Sequence, residues 1–283
     1  MKPSSSRPAL RPHRPVPPLR VDWARREVAA LLLAVNLLPL SARASREDVH
    51  RVLSDVVWDD EPFFSRADFR RLDESDDAGF YATPRLVYHI DDAAVKATTT
   101  FYTQLFAEVS RRRNLTALDA LDLCSSWVSH YPEESMRPCP LRRVAGLGMN
   151  ADELRRNTVL SEWTTRDLNL DATLPYAAES FDVVTCTVSI DYLTNPLEVV
   201  AETARILRPG GTLAIVFSNR LFFSKAVAIW TGKDDLEHIY TVGAYIHFGG
   251  KSLLSDPRAI DLTPSRTSRQ KGDPLYAVVA TKL

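Results

Sequence analysis

Two short apolar runs joined by a well-marked helix constrain the fold of this chain more than any other feature. The runs FDVVTCTVS, at 181–189, and GTLAIVFSN, at 211–219, are apolar almost throughout and have the length of strands. Between them NPLEVVAETARIL predicts a helix: Asn195 is the N-cap, Pro196 takes the first helical position and Glu198 has capping-box spacing. The RPGG that follows ends this helix and turns the chain into the next strand.

The same alternation extends over the second two thirds of the chain. The stretch 88–114 predicts a helix with Asp91 as its N-cap and three arginines in its last turn. Continuously apolar strands that alternate with helices need cover on both faces, so the pattern indicates an α/β fold with a mostly parallel sheet. Further strands are predicted at 116–124, 143–149, 164–169 and 275–283, with a weaker run at 258–262.

Charge and cysteine content argue against several classes of function. Residues 1–44 hold eight Lys and Arg and two acids, which leaves 27 basic and 34 acidic residues in 45–283. An acidic body argues against nucleic-acid binding, which depends on basic side chains at phosphates. The three cysteines, Cys124, Cys139 and Cys186, lack CxxC spacing. We therefore expect no metal site and no disulfide framework, with buried thiols in strand runs.

The first 44 residues have the composition of a targeting segment. Residues 1–20 contain six prolines, five basic residues and no acid, a composition that cannot form a packed core. An arginine pair, an apolar run at 28–40 and Ala-Arg-Ala at 42–44 follow in the order of a signal peptide. This arrangement predicts targeting to the chloroplast and onward to the thylakoid lumen. A plain organelle transit peptide, export, or an amphipathic helix packed on the body are the alternatives.

A block in the middle of the chain carries a family resemblance. In DLNLDATLPYAAESFDVVTCTVSIDYLTNPLEVVAETARILRPGGTLAIV, Asp167, the Leu-Pro at 174–175, Glu179, the Ser-Phe-Asp at 180–182 and RPGG follow one another in a characteristic order. The block resembles class I S-adenosylmethionine-dependent methyltransferases of the methyltransferase type 11 kind. DLCSSWVSHYP, GLGMN and FSNR are also similar to an uncharacterised plant, algal and cyanobacterial subgroup.

The resemblance implies a Rossmann-like doubly wound, mostly parallel seven-stranded sheet with an antiparallel C-terminal strand. It covers about 90–283, so the chain divides into a targeting segment at 1–44, an N-terminal extension at 45–89 and a methyltransferase-like domain at 90–283. It also implies S-adenosylmethionine as cofactor and no metal.

Two departures affect the implied cofactor site. The family places an acid and a G-x-G-x-G loop after the first strand; here Asp122 keeps the acid, and Cys124, Ser126 and Val128 stand in the glycine positions. At the end of the second strand, Gly148 replaces the acid that holds the ribose.

The replaced loop still suits a ligand without phosphates. S-adenosylmethionine offers a carboxylate and an amine here, so we expect the Ser125, Ser126 and Ser129 hydroxyls to donate to the carboxylate and Asp122 to face the amine or sulfonium. Neutral hydrogen bonds from Asn150 would replace the lost ribose acid. By resemblance Asp167 accepts from the adenine amino group. The predicted cofactor site is Asp122, Cys124, Ser125, Ser126, Met149, Asn150, Asp167, Leu168 and Val188.

Asp191, Tyr192 and His130 are the candidate catalytic residues. Asp191 and Tyr192 occupy the place where the family carries a His-His pair, and we expect them to face the transferred methyl; Asp191 as a base would need a raised pKa. His130 follows the serine loop. The alternatives are an exposed loop acid for Asp191 and a structural role for His130. Contacts to an anionic substrate are expected from Arg85, His89, Arg220 or Lys225, each of which has a surface or capping role as its alternative.

Three functions stay open at this point. The first is methyl transfer to an unknown small-molecule acceptor, with no expected nucleic-acid partner and no transmembrane segment in the mature chain; methyl transfer from a sulfonium needs mainly orientation. The second is a degenerate relative that binds cofactor weakly or not at all and acts as a scaffold or interaction protein. The third, a nicotinamide oxidoreductase, is disfavoured because no G-x-G-x-x-G follows the first strand.

Overall fold

The computed structural model describes residues 45–264 and 272–283, and seven strands in this part form one sheet. The targeting prediction for 1–44 lies outside the described residues. The spatial order is β3-β2-β1-β4-β5-β7-β6, where only β7 runs antiparallel to its neighbours. The predicted fold is confirmed. The strands are β1 Leu118–Leu123, β2 Leu141–Gly148, β3 Glu162–Thr165, β4 Phe181–Thr187, β5 Leu207–Ser218, β6 Arg258–Asp261 and β7 Leu275–Thr281.

Six α-helices accompany the sheet in the described ranges. The longest one begins after Asp91, whose carboxylate accepts from the Ala94 N–H as its predicted N-cap. It ends at Asn114, a residue in the left-handed conformation that commonly terminates helices. The helices are α1 Arg46–Ser54, α2 Asp77–Tyr81, α3 Asp92–Arg113, α4 Ala151–Arg156, α5 Pro196–Ile206 and α6 Asp235–Gly250. No helix in these ranges is long and apolar enough to cross a bilayer.

The helices bury both faces of the sheet. On one face, apolar residues of α1, α5 and α6 pack against Leu121, Val184 and Ile215. On the other face, the aromatic side chains of α3 pack against small strand residues such as Ala120 and Ala214. Successive strand residues therefore face opposite cores, which is why these strands read as continuous apolar runs.

The start and end of α5 differ from the sequence prediction. Pro196 is its first residue, but the Asn195 side chain makes no capping hydrogen bond and the capping box is absent. Asn195 instead donates from Nδ2 to the Asn169 carbonyl at 3.1 Å. The RPGG lies within β5 as an irregularity: the register jumps after Leu207, and Gly210 has φ of +76°.

The connection between β1 and β2 contains no α-helix. It runs through residues 124–140 with a single 3-10 turn, Glu134–Met136. Prolines at 132, 138 and 140 remove backbone donors that a helix there would need. Tyr131 fills the space beneath, with ring centroids 5.3 Å from Tyr102 and 5.1 Å from Phe106. No helix N-terminus is therefore available after β1 to meet an anionic group.

Candidate functional site

A cleft of about 290 Å³ opens at the carboxyl ends of the central strands. The chain order of the strands reverses between β1 and β4, and such a switch point is where open α/β sheets bind ligands. Asp191 and Ser129 do not line this cleft, whereas the other predicted cofactor-binding and catalytic residues do: Asp122, Cys124, Ser125, Ser126, His130, Met149, Asn150, Asp167, Leu168, Val188 and Tyr192.

Asp122 is the buried acid at the end of β1. Only 3% of it is exposed, and its carboxylate accepts from the Ser125 hydroxyl at 2.6 Å. Burial raises its pKa to about 6, although hydrogen bonds from Ser125, Ser129 and Thr185 act in the opposite direction. No cationic side chain in the described part of the chain contributes to the pKa of this carboxyl group. The site is therefore prepared for a positive group.

The serine hydroxyls are oriented differently from the prediction. Ser125 donates to Asp122, and Ser126 donates to Glu153 at 2.6 Å. Ser129 accepts from the Asn157 side chain at 2.8 Å and adds a hydrogen bond that lowers the pKa of Asp122. A hydroxyl has one proton to donate, so these serines serve the protein's own acids and not a ligand carboxylate.

Three residues around the cleft have a strained backbone, and one of them, Cys124, stands in a glycine position of the family. Cys124, His130 and Val188 have φ of 55°, 57° and 46°, in the left-handed region that favours glycine. Cys124 thus retains the conformation of the glycine that it replaces. Each such residue costs of order 1–3 kcal/mol, and strain of this kind clusters at binding sites.

Gly148 shows why the ribose acid is absent. A Cβ at this position would lie 2.0 Å from the carbonyl oxygen of Ser125, so no side chain fits there. The loop after β1 is held against β2 because the Ser125 N–H donates to the Leu147 carbonyl at 2.7 Å. The loop therefore occupies the place in which the family's acid would stand.

Asn150 does not compensate for this loss as we expected. Its Oδ1 caps α4 by accepting from the Asp152 and Glu153 N–H groups at 2.9 and 3.1 Å. Its Nδ2 donates to the Tyr81 carbonyl at 2.8 Å and to Ala82. Both ends of the amide are used, so Asn150 positions α4 and the segment before it and leaves nothing for a ribose.

Glu153 is the acid that the sequence analysis missed. It lies in the first turn of α4, is 8% exposed and lines the cleft. One oxygen accepts from the Arg85 N–H and the other from Ser126, each at 2.6 Å. Each carboxylate oxygen can accept a second bond. The available signal was an acid five residues after the lost one, which is weak because helix first turns commonly carry acids.

Asp167 and Leu168 follow β3, the strand at one edge of the sheet, and form that end of the cleft. Leu168 is buried, and Asp167 accepts from the Asn169 N–H at 2.8 Å through Oδ1 only. The Asn169 side chain donates to Asp77 at 2.9 Å and to the Tyr192 carbonyl at 3.0 Å. This end is thereby tied to the 3-10 turn that contains Tyr192.

Asp191 lies beneath the cleft, contrary to the expectation that it faces the transferred methyl. It is 3% exposed, and no described residue hydrogen-bonds its Oδ2 atom. Burial raises its pKa to about 8, so it is mostly protonated at neutral pH. Tyr192 lines the cleft, and its hydroxyl accepts from the Phe222 N–H at 2.8 Å.

His130 presents a neutral ring to the cleft. Burial lowers its pKa to about 4, and its Nδ1 has no hydrogen-bond partner in the described ranges. Its ring lies 5.8 Å from that of Tyr88. An unprotonated imidazole at neutral pH is the state that a proton acceptor needs.

The residues proposed for an anionic substrate separate into two groups. Lys225 is fully buried between Asp73 and Asp77, at 3.2 and 3.1 Å, so its expected substrate contact is wrong. Arg85, His89 and Arg220 reach the cleft. Among the described residues, no group of three or more His, Cys, Asp or Glu side chains is arranged to hold a metal ion.

Comparison with known proteins finds similarity over the middle of the chain. The family model described as a methyltransferase domain matches residues 136–215. The resemblance to the class I S-adenosylmethionine-dependent methyltransferases is thereby confirmed. The block that matches runs from the 3-10 turn before β2 into β5 and includes Asp167.

Individual relatives are similar over part of their length. The chain is 32% identical over 122 residues to methyltransferase GfsG of Streptomyces halstedii, which is 39% of this chain and 44% of that protein. It is 38% identical over 80 residues to the ubiquinone/menaquinone biosynthesis C-methyltransferase UbiE of Roseobacter denitrificans, 28% of each. The chain thus spans less than half the length of these relatives. An S-adenosylmethionine-dependent methyltransferase structure from Mesorhizobium loti aligns at 14% identity, covering 64% of this chain and 100% of that one, with a TM-score of 0.43.

Proposed function

We propose that the protein is an S-adenosylmethionine-dependent methyltransferase that acts on a small-molecule acceptor. The observation that carries the proposal is Asp122, a buried acid at the sheet's switch point that is 3% exposed and whose pKa burial raises to about 6. The cofactor brings an ammonium and a sulfonium to this place. Binding of a cation there stabilises the ionised carboxylate, which burial penalises.

The residues of the cleft fit the cofactor, with Glu153 in place of the ribose-binding acid that the family carries at the end of its second strand. Asp122 would hold the ammonium, and the free oxygen of Asp167 would accept from the adenine amino group. Glu153, and not Asn150, would accept from the ribose hydroxyls, because its oxygens keep free lone pairs. The cofactor supplies the methyl group on a good leaving group, so the protein has mainly to orient donor and acceptor.

We call the part of the cleft lined by Tyr192 and Phe222 the acceptor end. Its residues suit a methyl acceptor that must lose a proton during the reaction. His130 lines the cleft with an unprotonated ring, and Tyr192 lies on the opposite side with its hydroxyl fixed by the Phe222 N–H. In this proposal His130 takes the proton, while Asp191 underlies Tyr192 and does not touch the acceptor.

Calorimetric titration of the full chain with S-adenosylhomocysteine tests the proposal. We expect saturable binding, and weaker binding to an Asp122→Asn variant. NADH serves as the control for the oxidoreductase alternative and should give no heat. No heat from S-adenosylhomocysteine at millimolar concentration would reject cofactor binding and favour the scaffold alternative.

One observation favours that scaffold alternative as the second candidate. The hydroxyls of Ser125 and Ser126 and both ends of Asn150 are already satisfied within the protein. A chain that had lost cofactor binding would be expected to satisfy its polar groups in this way. The same titration separates the two candidates.

For residues 1–44 we propose removal after import into the chloroplast, on the composition and the Ala-Arg-Ala pattern alone. N-terminal sequencing of the mature protein from fractionated organelles tests this. A chain that starts near residue 45 is expected, and one that starts at Met1 would reject processing.

A further inference from the structure

The acceptor end of the cleft contains a guanidinium that the protein does not neutralise. Arg85 lines the cleft, and its side chain makes no hydrogen bond or ion pair with any part of the chain that the structure describes. The other cations nearby are paired: Arg220 with Asp273 at 2.9 Å, and Lys225 with Asp73 and Asp77. Arg85 is thus the basic group at this end whose hydrogen-bonding capacity remains available.

Aromatic rings hold this guanidinium in place. It lies 4.3 Å from the centroid of the Phe80 ring and 5.5 Å from that of Phe222. The backbone of Arg85 is fixed as well, since its N–H donates to Glu153 at 2.6 Å. A charged group that is stacked on a ring keeps its edge N–H donors free, and it loses little rotamer entropy when it binds an anion.

The position of Arg85 assigns the anion to the acceptor side. The proposed cofactor contacts follow β3, β2 and β1, whereas Phe222 follows β5, beyond β4 in the sheet. Residues 77–89 contact both sides of the cleft: the Tyr81 carbonyl accepts from Asn150, which follows β2, and the Phe80 ring lies 5.4 Å from that of Phe222. The Arg85 guanidinium lies at the Phe222 end of this crossing.

The walls around Arg85 are flat and largely apolar. The Phe222 ring lies 5.4 Å from His89 and 5.9 Å from Tyr192, and the Tyr88 ring lies 5.0 Å from Trp127. Such walls favour a ring that stacks, and a single unneutralised guanidinium favours one anionic substituent.

We propose that Arg85 is the anion-binding residue of the acceptor site and that the acceptor is an aromatic molecule carrying a carboxylate. The inference that the bound anion is the methyl acceptor rests on the proposed function. The affinity of the site for an aromatic carboxylate can be measured without any methyl transfer.

Ligand-observed NMR titration of the full chain with benzoate and its neutral isostere benzamide, in the presence of S-adenosylhomocysteine, tests the inference. The wild-type chain should bind benzoate about tenfold more tightly than benzamide, the difference between charged and neutral hydrogen bonds. Arg85→Gln should abolish this preference, and Arg85→Lys should keep part of it, because a lysine retains the charge but not the planar fork. Arg51→Gln, which removes an exposed, ion-paired arginine of α1 outside the cleft, is the matched control and should keep the preference.

Two results would overturn the inference. One is an unchanged preference for benzoate in Arg85→Gln, with the variant folded by circular dichroism. The other is a loss of S-adenosylhomocysteine affinity in Arg85→Gln while benzoate binding stays intact, which would assign Arg85 to the cofactor's carboxylate. Failure of the proposed function is distinguishable, because the wild-type chain would then bind no S-adenosylhomocysteine whatever Arg85 does.

Discussion

Replacing Asp122 by Asn should stabilise the protein while it weakens cofactor binding. Asp122 is buried at the end of β1, and its hydrogen bonds from Ser125 and Thr185 do not offset the cost of burying a charge. Asparagine has nearly the same shape, and its oxygen can still accept from Ser125. The substitution therefore removes the buried charge and leaves the packing unchanged.

The size and sign of the effect follow from the pKa of Asp122. Folding raises it from 3.8 to about 6. Between these values the folded state keeps its proton while the unfolded state has lost it, so stability falls as pH rises and the loss is complete above about pH 6. At 1.36 kcal/mol per pKa unit the cost is about 3 kcal/mol at pH 8 and about 1 kcal/mol at pH 4.5. For a domain of this size, 3 kcal/mol corresponds to roughly 6–12 °C in Tm.

Thermal unfolding at the two pH values measures this prediction. Asp122→Asn should gain more in Tm at pH 8 than at pH 4.5, and its affinity for S-adenosylhomocysteine should fall roughly 10- to 100-fold with the loss of a charged hydrogen bond. Asp167→Asn is the matched control, because this half-buried acid should bring no stabilisation on replacement. An Asp122→Asn chain with wild-type Tm at pH 8 would refute the reasoning about burial, and wild-type affinity would refute the role in binding.

Three further substitutions test other parts of the site. If the Glu153 carboxylate holds the ribose, Glu153→Gln should weaken adenosine binding about five- to thirtyfold and leave adenine binding unchanged. Calorimetry measures both affinities, and equal losses for the two ligands would contradict this role. Gly148→Ala should destabilise the chain by about 3 kcal/mol or more in urea unfolding, since its Cβ would meet the Ser125 carbonyl at 2.0 Å, and an unchanged midpoint would show that the loop moves freely. Lys225→Met should cost about 1–3 kcal/mol, because Asp77 loses one charged partner but keeps Arg71. Lys233→Met, which removes an exposed pair with Glu237, should change unfolding by less than about 1 kcal/mol.

The predictions that succeeded depended on local pattern. The strands β1, β4, β5 and β7 and the helix α3 with its Asp91 cap follow from residue periodicity and from capping chemistry between near neighbours. The position of Asp167 just after β3 follows from its place in the family block, whose motifs occur in a fixed order along the chain. These features involve residues close together in the chain, so the sequence contains the information directly.

The predictions that differ depended on contacts between distant residues. Ser126 looked available to a ligand, but Glu153, 27 residues further along the chain, accepts its hydrogen bond once the chain is folded. Ser125 differs, because it donates to Asp122, only three residues before it. Asn150 looked free for a ribose, but the carbonyl of Tyr81, 69 residues earlier, takes its amide. Asp191 was expected to face the transferred methyl, with an exposed loop acid as the alternative, yet the folded chain leaves only 3% of it exposed.

The order of apolar runs, the caps and the RPGG block by themselves determined a doubly wound sheet with a ligand cleft at the ends of its strands, because periodicity and turn chemistry act over a few residues. Tertiary structure alone decided which polar groups in that cleft remain available. A hydrogen-bonding group is committed or free according to what lies within about 3 Å of it in space. The sequence therefore predicted the cleft together with Asp122 and Arg85, whereas only the fold added Glu153 and showed that Ser126 and Asn150 are already hydrogen-bonded within the protein.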